Sequence, residues 1–399
     1  MLRLMVIGAT WEQIPLIQEA KKLGFNVLAT ATSKDAEGLS YADKQELVDP
    51  RDLIHMLKIA KSYQPNGIAS DECDYSHYAN VFVSENLGLP HDGLKSSQLT
   101  TNKLWMRDAC HKARILQPRF IGCRTIEDAK RAIEVIGLPV IVKPVDNRGA
   151  SGVKVVNSIE NLKEAYLDAL MNAYSREVIV EAYIEGIHIT VDGCVDQDGI
   201  HHNLAIASKK VTKGNKPIIF EVNYPAKITD ENREYIMQTN SQVVDALNIS
   251  SGLTHSEYIL DGKGRCFLVE TANRGGGVYT SAKIIPIISG INISELLISN
   301  AIGRSFEIKL HPYLGEVVLR FFIFKPGNIV DIRGIEKVKS FHGVEFIKLF
   351  IRPGDILNAV QSGAERHGFV ILKSTNSNSI DQLYQKVMDS VLVVYKDDK

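Results

Sequence analysis

Two carboxylates occupy positions where an acid is out of character. Glu270 lies near the end of the apolar run CFLVET (266–271), and Glu257 sits in the equally apolar SEYILD (256–261). The turn Gly262-Lys263-Gly264 separates them. If that turn joins two antiparallel strands, Glu257 can lie opposite Glu270, and paired acids in such surroundings need a cation. Asn273 and Arg274 follow in LVETANRGGG (268–277). Two carboxylates and an amide oxygen make a hard oxygen site suited to Mg²⁺, which keeps waters and phosphate oxygens in its shell. Arg274 beside them would meet a phosphoryl or carboxylate group bidentately. The alternative is that both acids simply face solvent.

A second constellation follows the strand PVIVKP (139–144). The loop VDNRGASGV (145–153) places Gly149, Ser151 and Gly152 between two strand candidates. Small residues there let backbone N–H groups turn toward an anion. Taken alone, such a hairpin is an ordinary turn. Lys143 just before it adds a point charge placed for an α- or β-phosphate. In SDECD (70–74), Asp71 or Glu72 could meet a substrate amine, and helix capping with the helix dipole explains the same acids equally well. Lys209 and Lys210 are adjacent on a strand and point to opposite faces, so at most one of them reaches a phosphate.

Other chemistries are argued against. Counting from Gly8, the dinucleotide fingerprint needs glycines where the chain has Thr10 and Gln13. No G-x-x-x-x-G-K-S/T run is present, so a P-loop is excluded, and neither H-E-x-x-H nor G-x-S-x-G occurs. His201 and His202 lack a third ligand at a metal-like spacing and read as solvated. Cys73, Cys110, Cys123, Cys194 and Cys266 are scattered and read as buried free thiols of a reducing, cytoplasmic setting.

These groups need elements to hold them. Strand LMVIGA (4–9), helix-spaced Ile14, Ile17, Ala20 and Leu23, strand NVLATA (26–31), a helix over 52–62, strand NGIAS (66–70) and a helix over 75–87 alternate in the first hundred residues. That alternation predicts a parallel α/β sheet. The segment 87–102 collects Pro, Gly, Ser and Thr and predicts a domain boundary. Lys103 opens a helix, and the strand at 141–143, a helix over 159–173 and the strand EVIVEAYI (177–184) follow. Antiparallel strands fill 187–225, with turns at Gln197-Asp198-Gly199 and Lys213-Gly214-Asn215, and a helix covers 231–246. From about 312, four strands and a closing helix over 379–392 make a small α+β domain.

The 399 residues suggest two or three domains. The 46 basic residues against 47 acidic ones remove the footprint of a general nucleic-acid binder. No apolar run approaches the roughly 20 residues that span a bilayer. The start, MLRLMVIGATWEQ, meets Glu12 too soon for a secretory signal.

Lys103, Lys143 with its Gly-rich loop, EAYIEG (181–186) and the set Glu257, Glu270, Asn273 and Arg274 occur in the order of the ATP-grasp superfamily. The chain resembles that superfamily along nearly its whole length. The resemblance implies an α/β and α+β chain: a Rossmann-like pre-ATP-grasp α/β domain (1–100), an ATP-grasp core (101–310, its lid lobe about 115–185), and a C-terminal α+β domain (311–399). Within the superfamily the layout is similar to the carboxylate–amine ligases, including the L-amino-acid ligases that make dipeptides. It is similar also to the purine-biosynthetic and biotin-carboxylase branches, which activate formate or bicarbonate.

Carried over, the resemblance implies that Lys103 and Lys143 hold the α/β-phosphates of ATP and that the loop at Gly149, Ser151 and Gly152 folds over them. Glu181, Ala182 and Ile184 would form the hinge, with carboxylate and backbone reading adenine. Glu257, Glu270 and Asn273 would bind Mg²⁺ or Mn²⁺, and Arg274 and Lys143 would stabilise the transferred phosphoryl group. One position departs: seven residues beyond Glu181, where many members carry a ribose-binding Glu, this chain has His188, which can accept one hydrogen bond only. The implied partners are a small-molecule carboxylate and an amine, with no nucleic acid or membrane, and a homodimer is the frequent assembly. A regulatory nucleotide-binding module without turnover is the third reading, and a complete Lys, Glu, Glu, Asn and Arg set argues against it.

Overall fold

The structure, a computed structural model, describes residues 2–147, 149, 151–212, 218–375 and 377–396. The expected turn at Lys213-Gly214-Asn215 lies outside these residues, as do Arg148 and Ala150 of the Gly-rich loop.

The chain begins with β1 (Arg3–Ile7), α1 (Ile14–Lys22), β2 (Asn26–Ala31), β3 (Lys44–Leu47), α2 (Leu53–Tyr63), β4 (Gly67–Ala69) and α3 (Asp74–Leu87). The four strands form a parallel sheet in the order β3-β2-β1-β4. Alternation along β1 divides the core between its two faces. Leu4 and Val6 pack in one cluster with Ile17, Val27 and Ala29, whereas Met5 and Ile7 pack in another with Leu28, Met56 and Ala79. Both faces being covered by helices is what a parallel sheet requires. β3, sequence KQEL, is exposed along its length and carries no period-2 apolar signal.

The segment 87–102 is not all loop. Leu94–Thr101 forms a helix, α4, with Ser96, Ser97 and Thr100 buried. The Thr100 hydroxyl donates to the Ser96 carbonyl, so the small polar residues satisfy themselves within the helix rather than marking a linker. α5 (Lys103–Lys112) follows, capped by the Asn102 side chain, which accepts from the amides of Leu104 and Trp105.

Next come β5 (Phe120–Cys123), α6 (Ile126–Ile136), β6 (Val140–Pro144), β7 (Lys154–Val156), α7 (Leu162–Met171) and β8 (Val178–Ala182). β6 pairs antiparallel with both β7 and β8. The antiparallel section is β9 (Ile187–Val195), β10 (His201–Val211) and β11 (Ile219–Tyr224), followed by α8 (Asp230–Ala246), β12 (Gly252–Leu260) and β13 (Cys266–Ala272). α9 (Ile285–Ser289) and α10 (Ile293–Ala301) precede the last section. That section holds β14 (Glu316–Phe322), β15 (Gly327–Arg333), α11 (Ile335–Lys339), β16 (Val344–Leu349), β17 (Ile356–Leu357), β18 (Gly368–Ser374), α12 (Ser377–Ser390) and β19 (Leu392–Tyr395).

The chain forms two interleaved compact units. The first comprises residues 1–122, 190–206 and 230–312; the second comprises 123–189, 207–229 and 313–399. Residues 101–310 therefore contribute to both. The first unit holds the parallel sheet and the β12–β13 pair. In the second, β11, β14, β18 and β16 lie side by side, and Val318, Phe322, Val370 and Leu372 pack on Ile380 and Val387 of α12. Among the described residues, no single helix is long and apolar enough to cross a membrane.

Candidate active site

The first unit brings the two carboxylates together. β12 and β13 pair antiparallel with Glu257 directly opposite Glu270. A β-bulge makes this possible. From the turn, Leu260 faces Cys266, Ile259 faces Phe267 and Tyr258 faces Leu268, so an unbroken ladder would place Glu257 opposite Val269. The register shifts between Glu257 and Tyr258, leaving Val269 as the extra residue and bringing Glu270 onto the Glu257 face. Lys103, the first residue of α5, puts its Nζ 3.2 Å from Glu270 Oε2. Both acids remain partly open, with side-chain exposures of 30% and 36%. Two facing, partly exposed carboxylates fit a Mg²⁺ ion that keeps water and phosphate oxygens.

Asn273 is not with them, which corrects the expected ligand set. Its side chain is buried, its amide nitrogen donates to the carbonyls of Ser251 and Leu253, and Ser96 Oγ donates to its Oδ1 at 3.4 Å. Alternation explains the outcome: 270 and 272 share one side of β13, and 273 follows with 271 on the other. Among the described residues, no group of three His, Cys, Asp or Glu could hold a metal on its own.

Arg274 is half-buried and forms a bidentate pair with Asp74, with both bonds at 3.0 Å, and also donates to the Gly275 carbonyl. Burial works to lower its pKa, but the Asp74 carboxylate outweighs this and holds it above its ordinary value. Asp74 opens α3, so the SDECD segment is tied to the Gly-rich strap after β13. Asp71 accepts from Ser281 Oγ (2.6 Å) and from the Gly275 amide (3.1 Å). Burial pushes its carboxyl up to about 6. Glu72, in the left-handed region at φ 58°, accepts from the Tyr279 amide, while Glu12 accepts from the Val278 amide. Burial, then the charges of Glu12 and Asp71, raise the Glu72 carboxyl well above its ordinary range. The strap these acids hold has two consecutive non-glycine residues at positive φ, Val278 (59°) and Tyr279 (58°).

No sequence motif marks the next pair. Asp192 Oδ1 lies 2.7 Å from His255 Nδ1, and His255 Nε2 lies 3.7 Å from Glu257 Oε1. Burial opposes the charged imidazole, and the Asp192 carboxylate more than offsets it, so the pKa is raised. Gly276 lies flat on this pair: a Cβ there would meet His255 Nδ1 at 2.8 Å and Asp192 Oδ1 at 3.0 Å. His201, expected to be solvated, is instead half-buried and held between the Ser241 and Thr254 hydroxyls at 3.0 and 3.1 Å, and burial lowers its pKa to about 4.

The second unit holds the other constellation. Lys143 on β6 and Glu181 on β8 are diagonal neighbours, since Lys143 faces Ile179 and Ile141 faces Glu181. Their charges meet at 2.8 Å with relative exposures of 4% and 2%. The Glu181 carboxylate is therefore paired with Lys143. Ala182 ends β8, half-buried Ile184 follows it, and His188 is half-buried on β9. The Gly-rich loop joins β6 to β7 as expected. Its root is pinned to the turn after α7: Asp146 accepts from the amides of Tyr174 and Ser175, and Asn147 donates to the Asn172 carbonyl. Gly152 (φ +72°) packs there, where a Cβ would meet Asn172 Cβ at 2.9 Å. Gly149 (φ +67°) has nothing within 4 Å of a Cβ position, and Ser151 is exposed. Lys210 pairs with buried Glu221 at 2.7 Å. All five cysteines are free and buried, as expected.

A model of the ATP-grasp domain matches residues 136–282, and a model of the L-amino acid ligase C-terminal domain 2 matches residues 320–396. Residues 136–282 thus carry an ATP-grasp domain. The fold of the chain is the ATP-grasp fold: the crystal structure of an L-amino acid ligase from Bacillus licheniformis superposes with a TM-score of 0.86 at 22% identity, covering 99% of each chain. An L-arginine-specific L-amino acid ligase of Bacillus subtilis is 21% identical over 314 residues, 76% of this chain and 74% of that protein. The biotin carboxylase domain dimer of the Hydrogenobacter thermophilus 2-oxoglutarate carboxylase, crystallised with MgADP, ADP and bicarbonate, gives a TM-score of 0.75 at 17% identity, covering 99% and 91%. Members of the ATP-grasp ligase superfamily are ATP-dependent ligases.

Proposed function

We propose that this chain is an ATP-dependent carboxylate–amine ligase. The observation that carries the reading is the cross-strand pair Glu257–Glu270 with the Lys103 ammonium 3.2 Å from Glu270. That arrangement suits a nucleotide bound as its Mg²⁺ complex, and the L-amino acid ligase C-terminal domain over 320–396 favours an amine as acceptor. When bound by these carboxylates, Mg²⁺ supplies charge neutralisation at the phosphates.

A substrate carboxylate oxygen attacks the γ-phosphorus, the bond from phosphorus to the β-bridging oxygen breaks, and ADP leaves. The amine nitrogen then attacks the acyl carbon. The carbon–oxygen bond to phosphate breaks, and inorganic phosphate departs as the nitrogen loses a proton to water. The protein supplies position and charge rather than a nucleophile. Lys103 and Lys143 hold the phosphates, Lys143 being held in turn by Glu181. Gly149, Ser151 and Gly152 cover the phosphates and exclude water. The backbone of Ala182 and Ile184 meets adenine, and His188 lies at the ribose. Arg274, its forward reach fixed by Asp74, adds charge stabilisation at the transferred phosphoryl group. We assign the substrate ammonium to Glu72, whose Oε1 is buried with no hydrogen-bond partner among the described residues. An ammonium there would draw the carboxyl back to its ionised form. The substrates are small molecules, the setting is cytoplasmic, and the assembly is a homodimer.

The test is ADP release with Mg²⁺ across a panel of carboxylates, amino acids among them, with hydroxylamine present as a trap. The reading predicts hydroxamate formation with a subset of amino acids. Stimulation by bicarbonate or formate alone would assign the chain to the other branches instead. Tight ATP binding without ADP or hydroxamate from any acid would make it a regulatory module.

A further inference from the structure

The pairing of Glu257 with Glu270 depends on one extra residue in β13, and a helix holds that residue in place. Three consecutive residues of β13 are held by α5. Arg107 Nη2 donates to the Val269 carbonyl at 2.7 Å, Lys103 Nζ meets the Glu270 carboxylate at 3.2 Å, and Met106 Sδ accepts from the Thr271 amide at 3.4 Å. A bulge interrupts the ladder around its extra residue. Here the carbonyl before Glu270 and the amide after it are both taken by α5. Arg107 is fully buried, an unusual placement for a guanidinium. Gln117 braces it, donating to the Arg107 carbonyl at 2.8 Å and accepting from Arg107 Nη1 at 3.4 Å. Lys103 and Arg107 are four residues apart, on one face of α5, so a single helix presents both contacts.

We infer that Arg107 is a positioning residue for the metal-binding carboxylates: by holding the bulge at Val269 it sets which side of β13 Glu270 faces. Without the bulge, the period of two along the strand turns Glu270 away from Glu257. This inference rests on the metal reading proposed above.

The test is Mn²⁺ affinity, measured by electron paramagnetic resonance in the presence of ADP, on the full chain and on Arg107→Met, Arg107→Lys and Met106→Leu. Arg107→Met should weaken Mn²⁺ binding about 10–100-fold, the usual effect of losing a group that orients a metal-ligating carboxylate. Arg107→Lys, which keeps a donor, should recover part of it. Amide exchange at residues 269–271 should accelerate in Arg107→Met. Affinity for ADP without metal should stay unchanged. Wild-type Mn²⁺ affinity in folded Arg107→Met would overturn the inference, as would an equal loss of metal-free ADP binding. Should Arg107→Met not fold, Met106→Leu and Arg107→Lys carry the test, since each loosens one bulge contact and should weaken Mn²⁺ binding measurably. Glu257→Gln and Glu270→Gln test the metal reading separately: if they bind Mn²⁺ as wild type does, that reading fails whatever Arg107 does.

Discussion

Glu181→Gln is the substitution whose consequence follows most directly from the buried charges. Lys143 and Glu181 lie 2.8 Å apart with 4% and 2% exposure, so neither charge has much water to fall back on. Unit charges that close attract by roughly 6 kcal/mol at an effective dielectric of about 20. Much of that offsets the cost of burying them, but removing one partner strips the other buried charge of this compensation, which costs about 3–5 kcal/mol. For a unit of this size, the loss corresponds to a melting shift of roughly 6–20 °C. The assay is denaturant and thermal unfolding, followed through the second unit, for Glu181→Gln, Lys143→Met and the pair Lys143→Met with Glu181→Leu. The apolar pair should regain most of the stability that either single change loses, because it restores packing without a stranded charge. It should also lose nucleotide binding. A cost under about 1 kcal/mol for Glu181→Gln, or a double variant no better than the singles, would refute the reasoning.

Three further outcomes are expected. Glu270→Gln should abolish turnover while leaving the melting temperature close to wild type, because the acid it replaces is partly exposed rather than packed; kinetics and calorimetry on one preparation check both. Asp71 has a folded pKa near 6 against an ordinary 3.8, so the folded state binds more protons than the unfolded one between those values. Stability contributed by this group therefore falls as pH rises from about 4 to 6, by about 3 kcal/mol. Asp71→Asn should flatten that slope in urea titrations across the same window. Gly276→Ala would force a Cβ to within 2.8 Å of His255 and 3.0 Å of Asp192. It should cost about 1–3 kcal/mol, read as a lowered urea midpoint.

Much of the site was legible because its residues carry their own local signals. β2 was bounded correctly from NVLATA alone, and Asn102 before Lys103 is a cap that starts a helix where expected. The turn at 262–264 predicted that Glu257 and Glu270 could face each other. What it could not show is that a regular ladder falls one residue short, because the bulge at Val269 depends on Arg107, 162 residues earlier in the chain. Asn273 falls elsewhere for a different reason: it lies an odd step of three residues beyond Glu270, which turns its side chain to the other side of the strand. The ion pair of Glu181 with Lys143 is not legible, because the two are 38 residues apart and become diagonal neighbours only when β6 and β8 pair. The Asp192–His255 contact and the acids under the strap at 275–281 likewise exist only in the folded chain. α4 was hidden by Ser and Thr residues that usually belong to loops and here bond back along a helix.

The most direct test of the ligase assignment follows an oxygen atom. If a carboxylate is activated by phosphoryl transfer, an accepted acid labelled with ¹⁸O in its carboxyl group passes one label to inorganic phosphate in each turnover with an amine. Mass spectrometry of the released phosphate should show one ¹⁸O per molecule, in step with ADP. Unlabelled phosphate from a reaction that consumes ATP and the acid would contradict the acyl phosphate and the account built on it.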